Sequence, residues 1–304
     1  MRTFDDLLRE FTYHHQSAGH SPRTVVWYDG QLRRFYGWLE ANQVSGAQWL
    51  DPRTIERYLA ASRKKPDGKP SSPFTVAGHY RGLNGFFHWL VGAKYLTVNP
   101  IDQVEKPKTP RRVPKRTEKD AYAALLNSIT TNTWIDWRDR LIINVLFLCG
   151  LRRKECAMLT ADNFKLKENL LHVREGKGGA ERFVPILPAV ERAFVAYIFT
   201  RPAVDGPLFI SSDNHNRPLS RGVSGQAIYE MLRRRCKRAG LPVMNPHSFR
   251  HGMAMHLLNE GGDMSLVQKV LGHAEISTTA EFYAEWVTDG MVNEFNLRMK
   301  GLGQ

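Results

Sequence analysis

The sequence predicts a mostly α protein with a small β-sheet, arranged as two domains. Three observations carry this. Apolar residues recur at helical spacing through most of the first hundred positions, and a proline-rich basic stretch breaks that pattern at 99–116. Further on, "NLLHVREGKGGAERFVPI" switches to two short β-like runs around a glycine-rich turn, the signature of a hairpin, before helical patterns resume.

The elements follow in order. Phe4, Leu7, Leu8 and Phe11 mark a first helix, and "SPRT" announces a second, with Ser21 as N-cap and Pro22 in its first turn. A third helix starts near Asp51. After the loop "RKKPDGKPSSP" a fourth covers about 74–91, completing a four-helix module over 1–98. Residues 99–116, "NPIDQVEKPKTPRRVPKR", hold four prolines and far more Lys/Arg than their two acids. They read as a solvated linker able to lie along a phosphate backbone, with Arg111, Arg112, Lys115 and Arg116 as its DNA-binding residues. The second domain, 117–304, is expected to open on a Thr117/Asp120 capping box, and the apolar run "LIINVLFLCG" to end a helix at Gly150. Helical pattern returns at 188–200 and 223–239. "NPHSFRHGMAMHLLNEGG" has Asn245 as cap, Pro246 in the first turn and two glycines as its stop; a last helix runs from Asp263 to Leu271.

Composition bounds the function. With 42% hydrophobic and 24% charged residues over 304 positions, the chain is globular rather than disordered. It has no apolar run long enough to span a bilayer and no signal-peptide core, so it reads as a cytoplasmic protein without a membrane partner. Cys149, Cys156 and Cys236 follow no metal spacing and read as reduced core residues. The net charge of +13 favours a polyanion, and it is uneven: residues 1–116 carry 19 basic against 10 acidic side chains, residues 117–304 carry 24 against 20.

Four places concentrate chemistry suited to a phosphodiester. In "GLRRKE", Gly150 permits a sharp turn and Arg152 stands at the mouth of a helix, where a guanidinium can fork onto two phosphate oxygens. Glu155, three residues on, can hold a neighbouring arginine or backbone amides. Lys177 sits at the tip of the hairpin, from which a proton donor can swing into a site. In "HSFRH", His247 and Arg250 are three apart and share a helix face, whereas His251 points about 100° away and reads as structural. The fourth place is "LGHAEISTTAEFYAEW", with His273 after a glycine-terminated helix and Tyr283 ten residues later. Each alone is more often a solvated or packed side chain than a catalytic one.

The ordered series G-L-R-x-x-E, G-K-G, H-x-x-R-H, L-G-H, I-S-T-T and a nearby Tyr resembles the tyrosine recombinases, or phage-type integrases, of the Xer or mobile-element kind. The resemblance spans almost the whole chain. It implies a core-binding four-helix domain, a mixed α/β catalytic domain, and metal-independent cutting and rejoining of DNA without a cofactor, through a 3′-phosphotyrosyl link and a four-way junction. It further implies a homo-tetramer on two double-stranded DNA sites at the nucleoid, with DNA-bending accessory factors as further partners. By resemblance, Arg152 and Arg250 bind the phosphate, His247 assists loss of the phenol proton, Lys177 protonates the leaving oxygen, His273 bonds a phosphate oxygen, and Glu155 supports from behind. A tail with an apolar stripe, Val287, Met291, Val292, Phe295 and Met299, docks on a neighbouring protomer in that family; folding back on its own domain is the alternative.

One interval departs from the family. The nucleophile usually lies nine residues past the L-G-H histidine and three past the second Thr, and both counts land on Phe282. Either one residue is inserted and Tyr283 attacks, or position 282 is the nucleophile's place and this chain carries Phe there, naturally or by an engineered change. The second case gives a DNA binder without strand exchange. A type IB topoisomerase uses similar chemistry, but the four-helix module and short length suit it less well.

Overall fold

A computed structural model describes residues 3–110, 116–174, 181–204, 207–261, 264–272, 295–300 and 302. Arg111, Arg112, Lys115, Lys177, His273, Phe282, Tyr283, Val287, Met291 and Val292 lie outside the described residues. The chain divides into two compact units, 1–112 and 113–304.

The first unit is built on α1 (Phe4–Ser17), α2 (Pro22–Ala41), α3 (Pro52–Ala61) and α4 (Pro73–Gly92). Ser21 caps α2 by accepting from Thr24 N, and Asp51 and Ser72 cap α3 and α4, each ahead of a proline in the first turn. Phe4, Leu8, Phe11, Leu32, Phe35, Ile55, Phe86 and Phe87 form its core. The linker begins differently from the expectation of a solvated run. Pro100–Gln103 makes a 3-10 turn, and Ile101 and Val104 are buried in the same core. Asn99 permits this by accepting from Ile101 N, so the turn's polar backbone is satisfied.

The second unit comprises α5 (Lys119–Asn127), α6 (Trp134–Phe147), α7 (Arg153–Ala157), β1 (Phe164–Lys165), β2 (Leu170–Val173), β3 (Arg182–Pro185), α8 (Pro188–Thr200), β4 (Ile210–Ser212), β5 (Pro218–Gly222), α9 (Gly225–Arg238), α10 (Pro246–Asn259) and α11 (Met264–Leu271). Strands β1, β2 and β3 form an antiparallel sheet in which Val173 faces Arg182 and His172 faces Phe183. The pair β4–β5 is a second hairpin that the sequence did not announce. Helix α6 is buried almost throughout and packs on α8 and α10. Cys149, Cys156 and Cys236 are free and buried, as expected. Among the described residues, no helix is long and apolar enough to cross a membrane.

One expectation is corrected. Thr117 and Asp120 form no capping box: α5 starts with Glu118 at its N-cap and without a side-chain cap bond. Thr117 is used instead by α10, through Thr117 N to Ser248 O at 2.9 Å and a 2.9 Å contact between the two hydroxyls. The same Thr-x-x-Asp pattern does form a box one helix later, at Thr133 and Asp136. Phe295 and Met299 are buried in the core of their own unit, with Leu302, and Arg298 donates to Glu260 O.

The approach of Thr117 to α10 needs Gly252, where a Cβ would lie 2.1 Å from the Thr117 carbonyl oxygen. A helical Gly→Ala change normally stabilises by about 0.5–1 kcal/mol. Here overpacking against a fixed backbone reverses the sign. Gly252→Ala is expected to lower stability by about 1–3 kcal/mol, read as a lower urea midpoint at unchanged slope.

Candidate active site

Chain direction and helix termini bring the arginines together. Gly150, at φ +62°, turns the chain out of α6, and Arg152 becomes the N-cap of α7 with Glu155 at the third helical position. Glu155 Oε2 accepts from Arg152 N at 2.8 Å and Oε1 from Arg152 Nη1 at 2.7 Å. This leaves the Arg152 side chain partly exposed, at 22% of its surface, while Glu155 is at 2%.

The same carboxylate receives a second arginine. Arg182 on β3 donates through Nη1 and Nη2 to the two oxygens of Glu155, at 3.1 and 2.8 Å, and through Nε to the Val270 carbonyl at 2.9 Å. Sequence reading missed Arg182. A signal was there: it sits two residues from Val184 on the inward face of a strand, and a charge on a buried face demands a partner.

Arg250, on the second turn of α10, is 6% exposed. It donates through Nη1 to Gly150 O at 2.6 Å and through Nη2 to Leu271 O at 2.5 Å. Those described partners are main-chain carbonyls, so they fix the fork without neutralising it. Burial, then the neighbouring Arg152 and Arg182 charges, lower Arg250 to about 9, and it stays protonated at neutral pH. Two guanidinium groups thus bond one carboxylate, and a third, Arg250, lies near enough to feel all three charges, a net excess of positive charge in a largely buried place.

His247, a turn before Arg250, is exposed at the start of α10. Desolvation, then the charges of Arg153, Arg250, His251 and Arg152, hold its imidazole below the usual value, which favours the neutral, proton-accepting form. His251 is exposed rather than packed as a structural residue would be. Arg116 is exposed and pairs with Glu118 at 2.5 Å. Strands β2 and β3 lie on either side, in sequence, of residues 175–180, which include Lys177, and the described chain runs up to Gly272, next in sequence to His273. Among the described residues no three His, Cys, Asp or Glu gather as metal ligands would.

Glu155 supplies a pH signature. Burial pushes its carboxyl up, but the bonds and charge of Arg182 and the bonds from Arg152 outweigh this and hold it at about 2, against an ordinary 4.5. A depressed carboxylate stabilises the fold fully above its unfolded value, and that contribution fades as pH falls from 4.5 toward 2. Glu155→Gln is expected to flatten the fall of stability across that window, measured by denaturant unfolding at each pH; a slope equal to the parent's would refute the pairing.

Comparisons with known proteins establish the family. The phage integrase family model matches residues 115–287, and its N-terminal SAM-like domain matches residues 8–94. Tyrosine recombinase XerD of Listeria innocua is 31% identical over 287 residues, covering 90% of this chain and 92% of the relative. Tyrosine recombinase XerC of Chromobacterium violaceum is also 31% identical, with 92% and 90% covered. Among solved structures, the Tn1549 transposon integrase in complex with a circular intermediate DNA aligns at a TM-score of 0.68 and 17% identity, covering 92% of this chain and 98% of that one. The XerH site-specific recombinase bound to a palindromic difH substrate aligns at 0.65 and 18% identity, covering 95% and 85%. At such identities these structures speak for the fold, while the family model and the curated relatives speak for kinship: this chain belongs to the phage integrase family, the tyrosine recombinases.

Proposed function

We propose that this protein is a site-specific DNA recombinase that cuts and rejoins strands through a 3′-phosphotyrosyl intermediate. The observation that carries the reading is the pairing of Arg152 and Arg182 on Glu155 beside Arg250, whose fork is held by two carbonyls, so that three guanidinium groups share one carboxylate charge. Attack on a phosphodiester builds negative charge on the non-bridging oxygens. Fixed cations in a largely buried site stabilise that charge without reorganising. The relatives XerH and the Tn1549 integrase were solved on DNA, which supports the same partner here.

In the proposed step, a tyrosine oxygen attacks phosphorus as the bond to the 5′-oxygen breaks. His247 accepts the phenol proton, Lys177 delivers one to the departing 5′-oxygen, and His273 donates to a phosphate oxygen. The new phosphodiester to tyrosine conserves the bond, so a free 5′-hydroxyl from a second strand can reverse the reaction. Residues 1–98 and the basic linker 99–116, with Arg111, Arg112, Lys115 and Arg116, grip the duplex, and 117–304 carries the chemistry. Four protomers on two duplexes exchange strands pairwise through a four-way junction.

A second reading rests on Phe282, which stands at the family's usual nucleophile spacing: a protein that binds its sites without exchange. The experiment is selection of a bound duplex from a random-sequence pool, footprinting, and incubation of two labelled copies with the full chain. Recombinant products with swapped ends are expected. Tight, footprinted binding with no exchanged product would favour the second reading.

A further inference from the structure

Arg182 is absent from the roles just assigned, yet its guanidinium joins three of the site's motifs. From β3, five residues after Lys177 in sequence, it spans both oxygens of Glu155 in the Arg152 segment and the carbonyl of Val270, three residues before His273. A planar fork with five N–H groups holds both oxygens of a carboxylate and a carbonyl in fixed directions, whereas an ammonium is a point charge on a flexible stem. Close packing reinforces the link. Gly272 has φ +63°, and a Cβ there would lie 2.9 Å from Arg182 Cδ, so the chain passes directly over the arginine on its way to His273.

The charges show why this matters. Glu155 already takes two bonds from Arg152, one from its main-chain N–H and one from its side chain. Arg250 is close enough for the Arg152, Arg182 and Glu155 charges all to act on it. Without Arg182, the cations left to the buried carboxylate among the described residues are Arg152, which bonds it, and Arg250, which feels its charge, and it would draw both away from a phosphate. We propose that Arg182 is a positioning residue for strand cleavage: it saturates Glu155, so that the charges of Arg152 and Arg250 remain available to the scissile phosphate, and it anchors the segment leading to His273. This rests on the reading of the site as a phosphate site.

The test reads binding, so it does not depend on which residue attacks. The duplex selected from the random pool is synthesised with one uncharged methylphosphonate at each linkage in turn. The linkage whose neutralisation weakens binding of the parent, but not of Arg152→Gln, is the phosphate held by the site. A charge-assisted contact implies a penalty of about tenfold or more there. Arg182→Met is expected to shrink this penalty to about threefold or less, and Glu155→Gln/Arg182→Met to restore most of it. The double variant also removes the unpaired buried carboxylate, so it stays informative where the single variant is too unstable. A merely structural role would not give recovery specific to the charge of one phosphate. A parent-sized penalty in folded Arg182→Met, or no recovery in the folded double variant, overturns the role of Arg182. If no linkage meets the Arg152→Gln criterion, the phosphate site itself fails and the role of Arg182 falls with it.

Discussion

Arg250→Gln is expected to slow strand cleavage by about 10²–10³-fold while leaving the footprint on DNA in place, because one preorganised donor to a developing oxyanion contributes on that scale. The size follows from the setting of this arginine. It is 6% exposed, and its two terminal nitrogens are aimed by carbonyls from different elements, Gly150 after α6 and Leu271 at the end of α11. No rotamer search remains to be made when the phosphate arrives, and the charge works where water does not screen it. Arg250→Lys keeps the charge but cannot reach both carbonyls, so it is expected to recover only a small part of the rate. Gln leaves at least one carbonyl unpaired at a cost of about 1–3 kcal/mol, so thermal unfolding belongs beside the single-turnover measurement. A folded Arg250→Gln protein that cleaves within about threefold of the parent would remove Arg250 from the phosphate site.

The sequence was informative where local chemistry decides structure. Ser21 with Pro22 and Asn245 with Pro246 started helices where they were expected to, because caps act within one turn. The glycine-rich turn "EGKGGAE" was read from its flanking β-like runs, which became β2 and β3. Local chemistry misled where a distant partner competed for the same group. Thr117 offered a capping hydroxyl to α5, but Ser248, 131 residues away, took it. Phe295 and Met299 show helical spacing whichever surface they meet, so periodicity left the choice between cis and trans open. The hairpin β4–β5 stayed hidden because β5, "PLSRG", is mostly exposed and lacks an apolar face. Arg182 was the costliest omission: its role depends on three elements meeting, and one strand residue cannot announce that.

The nucleophile yields the largest effect of all, and its register, 282 or 283, is read by one experiment. On a suicide duplex nicked beside the cleavage point, the short 5′-hydroxyl fragment diffuses away and leaves protein covalently attached to DNA. The parent is expected to form this adduct, and Tyr283→Phe to abolish it, since phenylalanine has no oxygen with which to form the bond. Adjacent residues in a helix point about 100° apart, so 282 and 283 cannot both face one phosphate if that segment is helical. One inserted residue after Thr279 would bring Tyr283 to the place the family's spacing gives to 282, and the "AE" that follows it resembles what often follows the family's tyrosine. Peptide mapping of the trapped adduct assigns the attached residue directly. The opposite pattern, no adduct from the parent and a strong one from Phe282→Tyr, would make position 282 the nucleophile's place. The chain would then keep the arginine site, hold a scissile phosphate, and lack the one oxygen needed to cut it.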